Sequence, residues 1–255
     1  MRRFIHRATL AVTPDRSSHY SLAILVGLCY DFRVAPQLKR LSIASLSDLL
    51  EALAFSTVIA LYIWHWQSAG LHTWLVFPVW VLLSFALHRD NPKTLGLRAD
   101  NLKTATRLAA PVFLVFICAL ILIGFALGAL HRLPAHLIEP RRFLGYFAFC
   151  TLQQVALQSM VMNRLLRAFT NPAIAAVVGG LLFAALHWPN PVLVPLTWVG
   201  GTAMCWLFSR ERNIIPLVLG QAILGALVFW AFPIAWHHSM RVGPGYYSFV
   251  GPGHF

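Results

Sequence analysis

Long apolar runs separated by short polar gaps set the pattern of this chain. A helix that crosses a bilayer needs about 20 mostly apolar residues. Seven stretches come close to that length: 49–66, 71–88, 106–130, 143–166, 171–188, 191–208 and 214–236. The pattern predicts an all-α, polytopic integral membrane bundle of about seven transmembrane helices. The stretch from Tyr20 to Tyr30 is shorter and runs into Asp31, Arg33 and Pro36. It is expected to lie in the interface or to re-enter rather than to span. Asp48 followed by Glu51 has the spacing of a capping box and predicts a helix start at Asp48. Pro172, Pro191 and Pro216 fall near helix starts, where the missing N–H does little harm.

Small residues recur at four-residue spacing, which lets membrane helices approach closely. Gly124 and Gly128 form one pair, Ala176, Gly180 and Ala184 a row, and Gly200 and Gly201 sit in the next helix. The expected organisation is an interfacial segment over 1–47, N-terminal helices and a polar loop over 48–142, a core bundle over 143–236, and a Gly/Pro-rich tail over 237–255. The tail repeats Val-Gly-Pro-Gly at 242–245 and 250–253. Two copies of so short a unit specify turns rather than a fold, so an irregular tail at the outer interface is expected.

Composition agrees with the pattern: 58% of residues are apolar and 11% charged, against about 45–50% and about 25% in soluble domains. The net charge of +12 is spread over the gaps between apolar runs. This favours anionic lipid headgroups as the partner and argues against nucleic acid. With the N-terminus in the cytoplasm, sixteen basic residues fall on the cytoplasmic side and four (Arg132, Arg141, Arg142, Arg241) opposite. The positive-inside rule selects that orientation, in a bacterial inner (plasma) membrane. The Met1-Arg2-Arg3 start is read as retained cytoplasmic sequence, not a signal peptide. Cys29, Cys118, Cys150 and Cys205 all fall in apolar stretches without metal-type spacing, so reduced, buried thiols are expected.

Polar groups at membrane depth are functional candidates. None of the eight acids falls in the middle of a predicted span, which weighs against ion-coupled transport. Amides and one histidine remain: Gln153, Gln154 and Gln158 in the fourth span, His187 closing the fifth, Asn190 just beyond it, and Gln221 in the seventh. Residues 154 and 158 are one α-helical turn apart and share a face, with Gln153 about a quarter-turn away. Taken alone, such amides read as hydrogen-bonding glue between helices. His187 alone cannot hold zinc, which takes three or four ligands. His237 and His238 are read as interface anchors, so no cofactor or metal is expected.

Three segments, "TLQQVALQSMVMNRLL", "LLFAALHWPN" and "IIPLVLGQAILGAL", occur in this order. They resemble the three conserved blocks of the CAAX protease and bacteriocin-processing (CPBP, or Abi) family of intramembrane glutamic endopeptidases. The upstream "KTLGLRADN" is similar to that family's loop before the core. The resemblance covers roughly 93–230. It implies a membrane-buried site in which Glu activates a water while His or Asn steadies the oxyanion. The Phe-x-x-x-His block is intact as Phe183 and His187. Gln153, Gln154 and Gln158 stand where the family has Glu, Glu and Arg, and Gln221 and Gly225 where it has His and Asn.

Glutamine can hold a water but cannot take its proton, and general-base catalysis contributes about 10²–10⁴-fold. The resemblance therefore implies a binding or immunity-type pseudoprotease, with Gln153, Gln154, Gln158, His187 and Gln221 in the catalytic places and Phe183 and Asn190 lining the binding site. Its partner would be a membrane-associated peptide or protein. The alternative is an active endopeptidase using His187 as base.

Overall fold

The computed structural model describes residues 43–67, 72–129 and 139–249. The stretch 20–30, Cys29, and the end of the tail lie outside them. All the regular structure among the described residues is helical. Helix α1 spans Ile43–Leu61 and continues as a π-helical turn over Tyr62–Trp66. A 3₁₀ turn at His72–Leu75 leads into α2, Val76–Leu87. Then follow α3 (Leu102–Ala126) and α4 (Pro140–Gln154). A π-helical segment over Val155–Met162 joins α4 to α5 (Asn163–Ala168). The rest is α6 (Pro172–Ala185), α7 (Leu193–Arg210), α8 (Ile215–Ala231), α9 (Ile234–His237) and α10 (Pro244–Tyr247).

Two helices, Ile43–Trp66 and Leu102–Ala126, are long and apolar enough to cross a membrane by themselves. A third candidate is the pair Ile215–Ala231 and Ile234–Met240, bent by 118° at its break. Helix α3 shows the environment such a helix is built for. Ala105, Ala109, Phe113, Leu120 and Gly124 form its buried stripe, while Leu114, Val115, Leu122 and Phe125 stand 60–77% exposed on the other side. Exposed leucine and phenylalanine in a row are suited to lipid.

Close helix approach occurs where glycine permits it. A Cβ on Gly180 would collide with Thr202 Oγ1 and sit 2.6 Å from the Thr202 nitrogen and 2.8 Å from the Trp198 carbonyl oxygen. The obstacle is backbone, so α6 and α7 would have to separate. Gly180→Ala is expected to cost about 3 kcal/mol, read as a lowered thermal midpoint of the detergent-solubilised protein. Gly220 likewise receives the Phe113 ring, whose Cε1 would lie 2.6 Å from an added Cβ. The Gly124/Gly128 pair does not form such a seam. Gly124 is buried, but Gly128 lies in the turn after α3 at φ +62° with nothing near it.

Three expectations need correction. Asp48 does not start a helix: α1 begins at Ile43, and Asp48 lies more than a turn inside it, so its carboxylate points to a neighbouring helix instead of capping its own backbone. Cys150 and Cys205 are buried, but Cys118 is exposed on α3. The described part of the tail is docked, not irregular. Gly243 N–H donates to the Trp188 carbonyl at 2.9 Å, and a Cβ at Gly243 would meet Ile63 Cγ2 at 2.7 Å. Pro172 behaves as expected, opening α6 after Asn171, whose side chain accepts from Ala173 N–H at 2.8 Å.

Candidate functional site

The amides of α4 and α8 meet inside the bundle. Gln154 Nε2 donates to Gln221 Oε1 at 2.6 Å, and Gln221 Nε2 donates to Gln153 Oε1 at 2.5 Å. The three side chains thus form one directional chain, Gln154 to Gln221 to Gln153. Gln154 is fully buried and also directs Nε2 at Met204 Sδ, 3.1 Å away. Its Oε1 has no protein partner. Gln153 is only half-buried, and its own NH₂ is the donor end of the chain.

Gln158 does not join them. Helix α4 gives way to π winding at Val155, and Gln158, like Gln154 beside Met204, is turned toward α7. It faces the Cys205 thiol. Gln158 is fully buried, and apart from the Cys205 thiol its amide oxygen and nitrogen have no hydrogen-bond partner. Thr202 Oγ1 and Trp206 Nε1, on the neighbouring α7, are also buried without partners. Orphaned buried polar atoms are uncommon and mark places where a water or ligand completes the network. Inserted π turns inside α-helices recur at functional sites.

His187 sits just past the end of α6. Its Nδ1 lies 2.7 Å from the Phe183 carbonyl. Because a carbonyl only accepts, Nδ1 carries the proton and the neutral ring keeps its lone pair on Nε2. Phe183 packs edge-on to the imidazole, with ring centres 4.7 Å apart. No hydrogen bond joins His187 to the three linked glutamines among the described residues.

Asn190 works as a clamp. Its Nδ2 donates to the carbonyls of His237 (2.8 Å) and Arg241 (3.0 Å), and its Oδ1 accepts from the N–H groups of Val192 and Leu193 at the start of α7. Both amide protons and both oxygen lone pairs are engaged, so Asn190 ties the tail and α7 to the turn after His187. An apolar cavity of about 480 Å³ opens beside this turn, lined by Pro191, Pro195, Leu196, Phe232, Trp236 and Tyr246 among others.

The sequence pattern did not single out Tyr146. It lies one turn before Cys150 on α4 and fills the space above Gly225. A Cβ at 225 would collide with the Tyr146 hydroxyl and sit 3.1 Å from its Cζ. The phenol thus occupies the position where a side chain on residue 225 would project. Its spacing to Cys150 and to Gln153 and Gln154 was the available signal, but tyrosine at such spacing is ordinarily core.

The segment 93–101 is held tightly beneath the core. Ser159 Oγ donates to the Leu95 carbonyl at 2.6 Å, Asn163 Nδ2 to that of Thr94 at 2.9 Å, and Asn213 Nδ2 to that of Arg98 at 2.9 Å. Ile214 N–H donates to the Gly96 carbonyl at 3.0 Å. Gly96 holds φ +74° with Phe208 against it, a conformation that favours glycine. Arg98 pairs with Asp100, and the guanidinium holds the exposed Asp100 carboxyl down at about 2.

Residues 143–227 match the family model described as type II CAAX prenyl endopeptidase, Rce1-like. No curated protein and no solved structure matches the chain. The matched segment starts within α4 and ends within α8, and so contains the three linked glutamines, the π segment, Phe183 and His187. The match and the apolar helices together support a protease-like integral membrane protein. Over residues 143–227 the chain is similar to the Rce1-like type II CAAX prenyl endopeptidases.

Proposed function

We propose that this protein is a pseudoprotease that binds membrane-associated peptides or proteins without cleaving them efficiently, in the manner of an immunity factor. The carrying observation is the linked amide chain Gln154–Gln221–Gln153, in which no carboxylate takes part. Every described acid lies elsewhere. Asp48, Glu51 and Asp90 lie with His88, Arg164 and Arg167, Asp100 pairs with Arg98, Glu139 with Arg142, and Glu211 accepts from Asn101. An amide chain can orient a peptide carbonyl through the free Gln153 NH₂, and it offers no group that takes a proton from water. The apolar cavity beside the His187–Asn190 turn suits a hydrophobic segment.

The helical segments are taken as seven crossings with the N-terminus cytoplasmic. Contacts at the two ends of the bundle support the alternation this requires. Residues 48–51, 88–101, 163–167 and 211–214 gather at one end, and residues 63, 188–190 and 237–243 at the other.

A second reading, an active endopeptidase, draws on the His187 tautomer, whose Nε2 lone pair is free to act as base. Binding and hydrolysis of a library of hydrophobic peptides by the protein in nanodiscs separate the two. Binding with no turnover is expected, and Gln153→Leu should weaken binding about fivefold, the equivalent of one hydrogen bond. Turnover by the wild type that disappears in His187→Ala would overturn the pseudoprotease reading in favour of the second.

A further inference from the structure

We propose that Asp48, Glu51 and His88 form a binding site for a divalent transition-metal ion, with zinc the best match. The site is separate from the amide chain and stands whether or not the proposed function holds. Asp48 and Glu51 sit one turn apart on α1, and His88 closes α2. One ligand atom from each lies within 4.8 Å of the others.

The hydrogen bonding of His88 fixes which ring atom faces the acids. Nδ1 lies 3.0 Å from the Ser84 carbonyl, so it must donate. In the neutral imidazole the lone pair is then on Nε2. Histidine metal ligands are set up this way, with one ring nitrogen donating to a carbonyl and the other on the metal. Here Nε2 lies 3.3 Å from Asp48 Oδ1 and 3.5 Å from Glu51 Oε2. Three lone-pair-bearing atoms converge, and the one cation bonded to them, Arg164, reaches only Glu51 Oε2.

Distance favours zinc. Ligands about 2.0–2.1 Å from a tetrahedral ion lie about 3.4 Å from one another, and the two nitrogen–oxygen separations fall on either side of that value. Asp48 gives the second, independent observation. It is 7% exposed, yet its Oδ1 makes no hydrogen bond even with Nε2 beside it. That is the geometry of two ligands flanking a common centre rather than of a donor aimed at an acceptor.

Charge points the same way. Asp90 takes both Arg164 and Arg167, and Arg164 Nε reaches Glu51 Oε2 at 3.1 Å. Asp48 is the carboxylate bonded to neither guanidinium. The His88 and Glu51 side chains keep 25% and 19% of their exposure, which leaves a path for an ion and room for water as fourth ligand. A bound ion would clamp α1 to the end of α2.

The test is metal binding by the full chain in detergent, using zinc chloride and, as a spectroscopic stand-in, cobalt(II) chloride. One zinc per chain is expected, together with the visible absorption of tetrahedral cobalt. His88→Gln and Asp48→Asn should each weaken binding at least about tenfold. Asp48→Asn keeps the shape of the side chain and serves as the deciding variant if His88→Gln does not fold. A wild type that binds no zinc, its three atoms then sharing a proton instead, overturns the proposal. So does zinc binding whose affinity is unchanged in Asp48→Asn.

Discussion

Arg164→Ala is expected to destabilise the protein by about 3–5 kcal/mol, the range found when one member of a buried ion pair is removed. The Arg164 and Asp90 side chains are both fully buried. Asp90 Oδ2 accepts from Arg164 Nη1 and Nη2, each at 2.9 Å, and Oδ1 accepts from Arg167 at 2.6 Å. Arg164 also donates to Ser84 Oγ at 2.6 Å and to Glu51 at 3.1 Å. One guanidinium therefore joins α1, the end of α2, the turn after it, and α5. Removing it leaves a buried carboxylate held by Arg167 and by a long hydrogen bond of 3.4 Å from Thr94 Oγ1.

The cost lies in that stranded charge rather than in the lost attraction. Arg164→Met combined with Glu51→Gln and Asp90→Asn should therefore regain most of the stability. Denaturant unfolding in mixed micelles measures both variants. A triple variant no more stable than Arg164→Ala would show that packing around the guanidinium, not charge, dominates.

That cluster also marks where sequence reading stops. Hydropathy places helices in the apolar runs, because both follow the same chain-local rule, although only two of them, or three with the bent pair, are long and apolar enough to cross a membrane. For example, 106–130 corresponds to Leu102–Ala126 and 171–188 to Pro172–Ala185. The resemblance carried by the three motif blocks is borne out over 143–227. By contrast, Arg164 counts as a loop charge when judged only by its place near a span end. Its burial depends on Glu51 and Asp90, 113 and 74 residues away. The signal was indirect: with seven alternating segments, positions 48–51, 88–90 and 164–167 fall at one end of the bundle.

Local rules reached only part of the way at Gln158. The period of 3.6 residues per turn puts it on the face of Gln154, and both do face α7, but Gln158 lies by Cys205 inside the π segment and outside the amide chain. No residue in "VALQSMVM" announces π winding, which is a response to packing on both sides. Tyr146 was missed because its role depends on the bare backbone of Gly225 on another helix, a complementarity that one segment cannot reveal.

Installing the carboxylates and imidazole that the proposed function implies should raise peptide hydrolysis by about 10²–10⁴-fold, the usual share of a general base, but only if space for them is made as well. Gln153→Glu and Gln154→Glu supply the carboxylates, and Gln221→His supplies the family's imidazole beside them. Two adjacent carboxyls in a buried site do not both ionise readily, so one stays protonated while the other takes the proton from water. The last family position is obstructed. Gly225→Asn drives its Cβ into the Tyr146 hydroxyl and alone should lower stability by about 1–3 kcal/mol. Tyr146→Ala removes the obstacle, and the pair together should be better tolerated than Gly225→Asn alone. Mass-spectrometric detection of cleaved peptide in nanodiscs reads the result. Turnover that rises with the carboxylates, and again when Tyr146→Ala and Gly225→Asn are combined, would mean the amide chain occupies the place of a catalytic centre. A folded five-fold variant with no turnover would mean that these glutamines never stood in that place. The amide chain would then be an adhesive between α4 and α8 and nothing more.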